Sequence, residues 1–278
     1  MEQRKFGSTN RKIAVIGQGT WQLDSGGHRS AVAALRRGVD LGMTHIDTAE
    51  MYGSAESIIG EALAGRRDEI FLVSKVLPQN ASARAMAAAC ERSLARLKTD
   101  RLDCYLLHWP SNHPLEDTVK GFARLEREGK ILSWGVSNFG LPDLEKVWKI
   151  SGGRIACNQV LYYLQERAIE QAVIPWCEEH NVAVVAYSPF GHARSFPDSQ
   201  TSEGRMLSEI AAAHKAAPRQ IALRFLVRKP SVFTIPKASS PEHVDENAAA
   251  GDLRLSEAEL ARIDKAFPLS VRSELPIL

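Results

Sequence analysis

Cysteine is scarce in this chain. The four thiols, Cys90, Cys104, Cys157 and Cys177, include no C-x-x-C pair. That excludes a zinc knuckle or a redox dithiol and leaves them as reduced, buried small hydrophobes. No stretch approaches the ~18 apolar residues of a membrane span, and Met1 to Lys5 leads into no apolar signal core. A cytoplasmic location is therefore the expectation. Lysine and arginine form no run, and the net charge is only +2, so neither nucleic acid nor a membrane surface is signalled as a partner. His108 and His113 lack a third plausible ligand, so no metal is expected. A complete G-x-G-x-x-G is also missing, because Gly17-Gln18-Gly19-Thr20-Trp21 lacks the third glycine.

What is present is an alternation. Hydrophobic residues make up 44% and charged residues 24% of the chain, enough apolar material for a large soluble core. Short apolar runs at Gly17–Trp21, 45–49, 70–76, 103–109, Trp134–Ser137, Cys157–Val160, Val182–Tyr187 and Val232–Pro236 read as eight strands. Helical patterns at His28–Leu41, Ser54–Leu63, Ser82–Leu97, Pro114–Glu128, Pro142–Ile150 and Ile169–His180 separate them. Others follow at Met206–His214, Pro218–Val227, Pro241–Ala249 and Ser256–Ala266, where Ser256 and Glu259 make a capping box. A hairpin turning at Asn10 precedes the first strand. The strands are apolar on both faces, as a helix-covered parallel sheet requires. With no composition shift, linker, repeat or low-complexity segment, residues 1–278 read as one domain. The expected fold is α/β: a (β/α)8 TIM barrel with an N-terminal β-hairpin and additional helices. An open doubly wound sheet is the weaker alternative. The stretch 190–205, after the seventh strand, reads as a structureless connection and hence as a lid.

Three successive strands end in groups that do not belong in a core. Asp47, Lys75 and His108 close the runs His45-Ile46-Asp47, Phe71-Leu72-Val73-Ser74-Lys75 and Cys104-Tyr105-Leu106-Leu107-His108, and Tyr52 follows the first by five residues. In a barrel the carboxyl ends of the strands form the active face. The alternation 45, 47; 71, 73, 75; 104, 106, 108 turns all three side chains to one side. A phenol is a weak acid at neutral pH, and an ammonium beside it favours the phenolate and lowers its pKa. Lys75 would do this for Tyr52, Asp47 would keep Lys75 charged, and His108 would orient a substrate oxygen. The set suits protonation of a carbonyl that accepts hydride, and it needs a hydride source.

At these residues the chain resembles the aldo-keto reductases, in their bacterial, methylglyoxal-reductase-like branch. Residues 45–63, His-Ile-Asp-Thr-Ala-Glu-Met-Tyr-Gly-Ser-Ala-Glu-Ser-Ile-Ile-Gly-Glu-Ala-Leu, are similar to the first family signature. Leu102 to Trp109 resembles the second and Ile235-Pro236-Lys237-Ala238-Ser239 the third, with Gly135-Val136-Ser137-Asn138-Phe139 and Asn158-Gln159-Val160 in the right order between them. The resemblance implies a barrel that reduces aldehydes and ketones with NADPH, with NADH as the alternative, acting on a small-molecule carbonyl and commonly monomeric. It implies Tyr52 as general acid, supported by Lys75 and Asp47, with His108 orienting the carbonyl. It implies Ser137, Asn138 and Gln159 at the nicotinamide carboxamide and Tyr187 stacked on its ring. Ser188, Pro189 and the 190–205 loop would lie along the pyrophosphate, with Gly19 and Thr20 beside the cofactor. Lys237 would meet the 2′-phosphate, and Glu246 and Asn247 the adenine. Two positions depart: Ala238 and His243 stand where the family often has serine and arginine, with Ser239 near enough to replace the hydroxyl. No acidic residue in 236–241 would repel a phosphate, so NADPH remains the implied cofactor, with a relaxed preference.

Blander readings compete. Asp47 and Lys75 alone would be a structural ion pair, and Trp21 and Trp109 core packing rather than walls of a substrate pocket. Trp134, Trp148 and Trp176 read as fillers between helices and barrel, and His28, His45, His180 and His214 as structural or exposed. Met51 and Phe190 are further pocket candidates. A Schiff-base aldolase using Lys75, or a cofactor-binding regulatory subunit, are the alternative functions. The tail Phe267–Leu278 is short, which suggests an open pocket for small or varied carbonyls such as methylglyoxal.

Overall fold

A computed structural model describes residues 1–192, 195–269 and 275–277. The chain opens with an antiparallel hairpin, β1 (Gln3–Lys5) and β2 (Lys12–Ala14). Eight parallel strands follow: β3 (Gln18–Gly19), β4 (His45–Asp47), β5 (Phe71–Val76), β6 (Cys104–Leu107), β7 (Trp134–Ser137), β8 (Cys157–Leu161), β9 (Ala183–Tyr187) and β10 (Val232–Thr234). Each pairs in parallel with its sequence neighbour, from β3 across to β10. The sheet closes on itself where Gly17 N donates to Thr234 O at 2.8 Å and Gly19 N to Pro236 O at 3.1 Å. A Cβ at Gly19 would stand 2.5 Å from Ile235 O, so this seam admits no side chain. The fold is a (β/α)8 barrel.

The helices α1 (His28–Asp40), α2 (Ala55–Ala62), α3 (Ala83–Leu97), α4 (Leu115–Arg127), α5 (Leu141–Ser151), α6 (Val173–Glu179), α7 (Ser202–Ala213), α8 (Pro218–Leu226), α9 (Pro241–Ala249) and α10 (Glu257–Ala266) accompany the strands. One apolar layer lies between strands and helices, with Ile46, Leu72, Tyr105, Leu107 and Val136 on the outward strand faces. There Trp134 stacks on Phe122 at 4.7 Å, and Trp148 and Trp176 meet edge to face at 5.7 Å, as expected of fillers. The second layer fills the barrel with Phe71, Val73, Cys104, Leu106, Cys157, Val185 and Phe233. Strand alternation therefore works as the sequence indicated: the residues two apart from Asp47, Lys75 and His108 point inward. The hairpin plugs the amino-terminal end, where Phe6 contacts His45, Phe71 and Phe233.

Two helices differ from the sequence reading. The pattern Ile169–His180 breaks into a 3-10 turn at Ala168–Glu170 and then α6. Pro175 cannot donate to the carbonyl four residues back and would clash with it, so it sits in the first turn of a shorter helix. Helix α7 starts at Ser202 rather than Met206, because the Thr201 side chain accepts from Gly204 N at 3.0 Å and caps it. The connection read as 190–205 is shorter by that amount, and its residues 193–194 lie outside the described residues, as do 270–274 and 278 of the tail. All four cysteines are buried and free. Among the described residues, no helix is long and apolar enough to cross a membrane.

Candidate active site

The barrel gathers Asp47, Tyr52, Lys75 and His108 at its carboxyl end. Lys75, on β5, is fully buried, and its Nζ donates to Asp47 Oδ1 at 2.5 Å and to Thr48 O at 2.8 Å. The other Asp47 oxygen accepts from Gln159 Nε2 at 2.7 Å, so a β8 side chain completes the carboxylate from across the barrel. Tyr52 stands above this pair, with its hydroxyl 3.5 Å from Lys75 Nζ and the ammonium 4.9 Å from its ring centre. The His108 ring meets Tyr52 at 5.7 Å and Trp109 at 4.9 Å.

Electrostatics assign each group a protonation state. Burial opposes the charge on Lys75, but Asp47 and Tyr52 outweigh it and raise the ammonium pKa above its ordinary value. Burial and the Lys75 charge push His108 down to about 3, so the imidazole is neutral. Its Nδ1 is buried and, among the described residues, has no hydrogen-bond partner, which leaves Nε2 as the nitrogen open to the cavity. Tyr52 corrects the sequence reading. Lys75 does pull the phenol down, but burial is the larger effect and Asp47 adds to it, so the pKa is raised above 10.0. Tyr52 is thus a fully protonated phenol across neutral pH.

Two adjoining cavities open onto these groups. The larger, about 450 Å³, is walled by Trp21, Met51, Tyr52, His108, Trp109 and Ile277. Trp21 is 45% exposed, so it is a wall rather than core, as is Trp109. The tail reading falls partly outside the described residues, but Ile277 was not foreseen at this wall and no periodic signal marks it. The second cavity, about 220 Å³, is a groove past Gly19, Thr20, Tyr187, Ser188, Pro189, Phe190 and His192 to Lys237. Ile235, from the third signature, and Gly191, from the 190–205 connection, also line it, as does Gln22, which carried no sequence signal.

The remaining expected residues sort around this groove. Ser137 Oγ donates to Gln159 O at 2.9 Å. Asn138, in the left-handed region at φ 62°, donates to His108 O at 3.1 Å and accepts from the Tyr187 hydroxyl at 2.9 Å. Ser137 and Asn138 line the larger cavity, and Gln159 and Tyr187 line both. Lys237 Nζ donates to Ser25 Oγ at 3.1 Å and, among the described residues, has no ion pair. Ser239 lies against Gly26, its carbonyl accepts from Ser30 Oγ at 2.6 Å, and it is not among the residues that line the groove. Ala238 follows Lys237, while His243, Glu246 and Asn247 sit on α9 beyond it; none of these four lines either cavity. Among the described residues, no three His, Cys, Asp or Glu side chains are placed to hold a metal. The donor set fits a nicotinamide dinucleotide: the side-chain amides of Asn138 and Gln159, an aromatic ring at Tyr187, and the Lys237 ammonium at the far end.

The chain matches the aldo/keto reductase family over residues 15–267. It belongs to that family. It is 45% identical to methylglyoxal reductase YeaE of Escherichia coli, over 92% of each chain. It is 31% identical to a glyoxal reductase of Bacillus subtilis, over 90% of this chain and 87% of that one. An aldo/keto reductase from Klebsiella pneumoniae, solved in complex with NADP and acetate, superimposes with a TM-score of 0.93 at 43% identity, covering 99% of both chains. The chain is an oxidoreductase of this family, and Asp47, Tyr52, Lys75 and His108 lie together at one end of its barrel.

Proposed function

We propose that this chain, acting as a single domain, reduces small aldehydes and ketones with NADPH, and that methylglyoxal and similar short carbonyls are its substrates. The observation that carries the reading is a protonated phenol and a neutral imidazole facing one cavity, above a buried Lys75–Asp47 ion pair. The substrate wall of Trp21, Met51 and Trp109 suits a small, weakly polar molecule. The names of the Escherichia coli and Bacillus subtilis relatives support the same class.

NADPH, when bound, supplies the hydride. Ser137, Asn138 and Gln159 would hold the nicotinamide carboxamide, Tyr187 its ring, and Lys237 the 2′-phosphate. His108 donates through Nε2 to the carbonyl oxygen and fixes its place beside Tyr52. The Tyr52 hydroxyl gives its proton to that oxygen as negative charge develops. The Lys75 ammonium stabilises the phenolate left behind, and Asp47 keeps Lys75 charged. A Schiff-base role for Lys75 is disfavoured, since a raised pKa and a carboxylate partner leave it no free amine.

The test is NADPH oxidation across a panel of carbonyls, run beside Tyr52→Phe. Removal of the hydroxyl should lower kcat by roughly 10²–10⁴-fold while NADPH still quenches the protein's fluorescence. Undiminished turnover in the variant would remove Tyr52 from the role of acid.

A further inference from the structure

The turn that carries Tyr52 is tied to the barrel two residues before the phenol. Glu50 follows β4, and its side chain is only 7% exposed. Its Oε1 accepts from Leu77 N at 2.6 Å and from Asn80 Nδ2 at 3.0 Å, both in the connection after β5. Its own N donates to Lys75 O at 3.2 Å. Arg92, on α3, stands 3.8 Å from the other carboxylate oxygen. The turn closes through Tyr52 N donating to Ala49 O at 3.0 Å. Two residues after the phenol, Ser54 Oγ donates to Asp24 at 2.7 Å, but this second tie is exposed.

These bonds matter because the phenol itself is held weakly. Its hydroxyl contacts Lys75 at 3.5 Å, the long limit of a hydrogen bond. The place of the hydroxyl is therefore set by the backbone of the turn. We infer that Glu50 is a positioning residue for the reaction, clamping the turn to the β5 connection so that the Tyr52 hydroxyl stays over Lys75. Glu50 touches neither cavity and transfers no proton. Both short bonds end on one oxygen, so a neutral amide at this position keeps them: the clamp works by geometry, not by charge. The inference rests on Tyr52 being the general acid.

Glu50→Ala should lower kcat on the order of 10- to 100-fold, the scale expected when a reacting group drifts by about 1 Å. KM for the carbonyl and Kd for NADPH should stay within about twofold of the parent, because of the residues lining the two cavities only Met51 and Tyr52 lie on this turn. Glu50→Gln should restore kcat to within about threefold. In a Tyr52→Phe background, Glu50→Ala should have no further effect on kcat, since there is no hydroxyl left to place. Fluorescence titration with NADPH confirms that each variant is folded. A parent-like kcat in Glu50→Ala overturns the inference even if Tyr52→Phe is inactive. So does a Glu50→Gln variant as slow as Glu50→Ala, which would assign the effect to charge. If Tyr52→Phe is fully active, the general-acid reading fails first, and that result is read without any Glu50 variant.

Discussion

The Lys75 ammonium has no water to fall back on. Replacing its partner, Asp47→Asn, leaves a buried charge uncompensated or forces the amine to lose its proton. The expected cost is about 3–5 kcal/mol of stability, measured by urea unfolding, together with loss of carbonyl reduction. The raised phenol sets the pH response. If Tyr52 is the proton donor as proposed, its raised pKa keeps the phenol protonated, and the reduction rate should hold across neutral pH and fall only in strongly alkaline solution. A rate that falls between pH 7 and 9 would contradict that. His45 carries an acid response of stability. It is buried against Phe6 and Phe71, both ring nitrogens lack partners among the described residues, and burial with Lys75 pushes its pKa down to about 3. The unfolded chain, with an ordinary value near 6.5, binds the proton that the fold refuses. Stability contributed by neutral His45 is therefore present above pH ~6.5 and lost as pH falls from there toward about 3. At pH 4.5 the loss is on the order of 2–3 kcal/mol. His45→Leu should flatten that part of the stability profile, seen by urea unfolding at pH 7 and 4.5; an unaltered acid limb would refute the assignment. His108 loses neutral-form stability over the same window, so a shallower acid limb remains in the His45→Leu variant.

Elements show where sequence patterns were sufficient and where they were not. The capping box at Ser256 and the outward fillers Trp134, Trp148 and Trp176 were legible, because capping and apolar period are local. The break at α6 was carried by one residue, Pro175, which an apolar period alone overrides. The early start of α7 was hidden by Gly204, a poor helix former. The structure gives the reason for that glycine: a Cβ there would stand 1.9 Å from Asp198 O. The connection after β9 is thus folded directly onto the first turn of α7. Gly204→Ala should destabilise the protein by about 1–3 kcal/mol, through that overlap, despite the ~1 kcal/mol gain in helix propensity. A stabilised variant in urea unfolding would show that the connection does not rest there.

On the scale of the whole molecule, the apolar plug and the candidate active site sit at opposite ends. Phe6 plugs the amino-terminal end of the barrel, and Asp47, Tyr52, Lys75 and His108 lie at the carboxyl end. Phe6→Ala should cost about 3–5 kcal/mol through the cavity it leaves, yet preserve kcat at temperatures where the variant stays folded. Comparing thermal unfolding with turnover separates the two ends; a parallel loss of both would couple them. The sequence by itself determined the strand order, the alternation that turns Asp47, Lys75 and His108 inward, and the chemical kind of the site. Those properties depend on residue type and on spacing along the chain. Tertiary structure alone decided that burial outweighs Lys75 at the Tyr52 phenol, that Gln159 reaches Asp47 across the barrel, and that Glu50 ties the tyrosine turn to the next connection. Each of these depends on distance and on exclusion of water between segments far apart in sequence, and no local pattern records either.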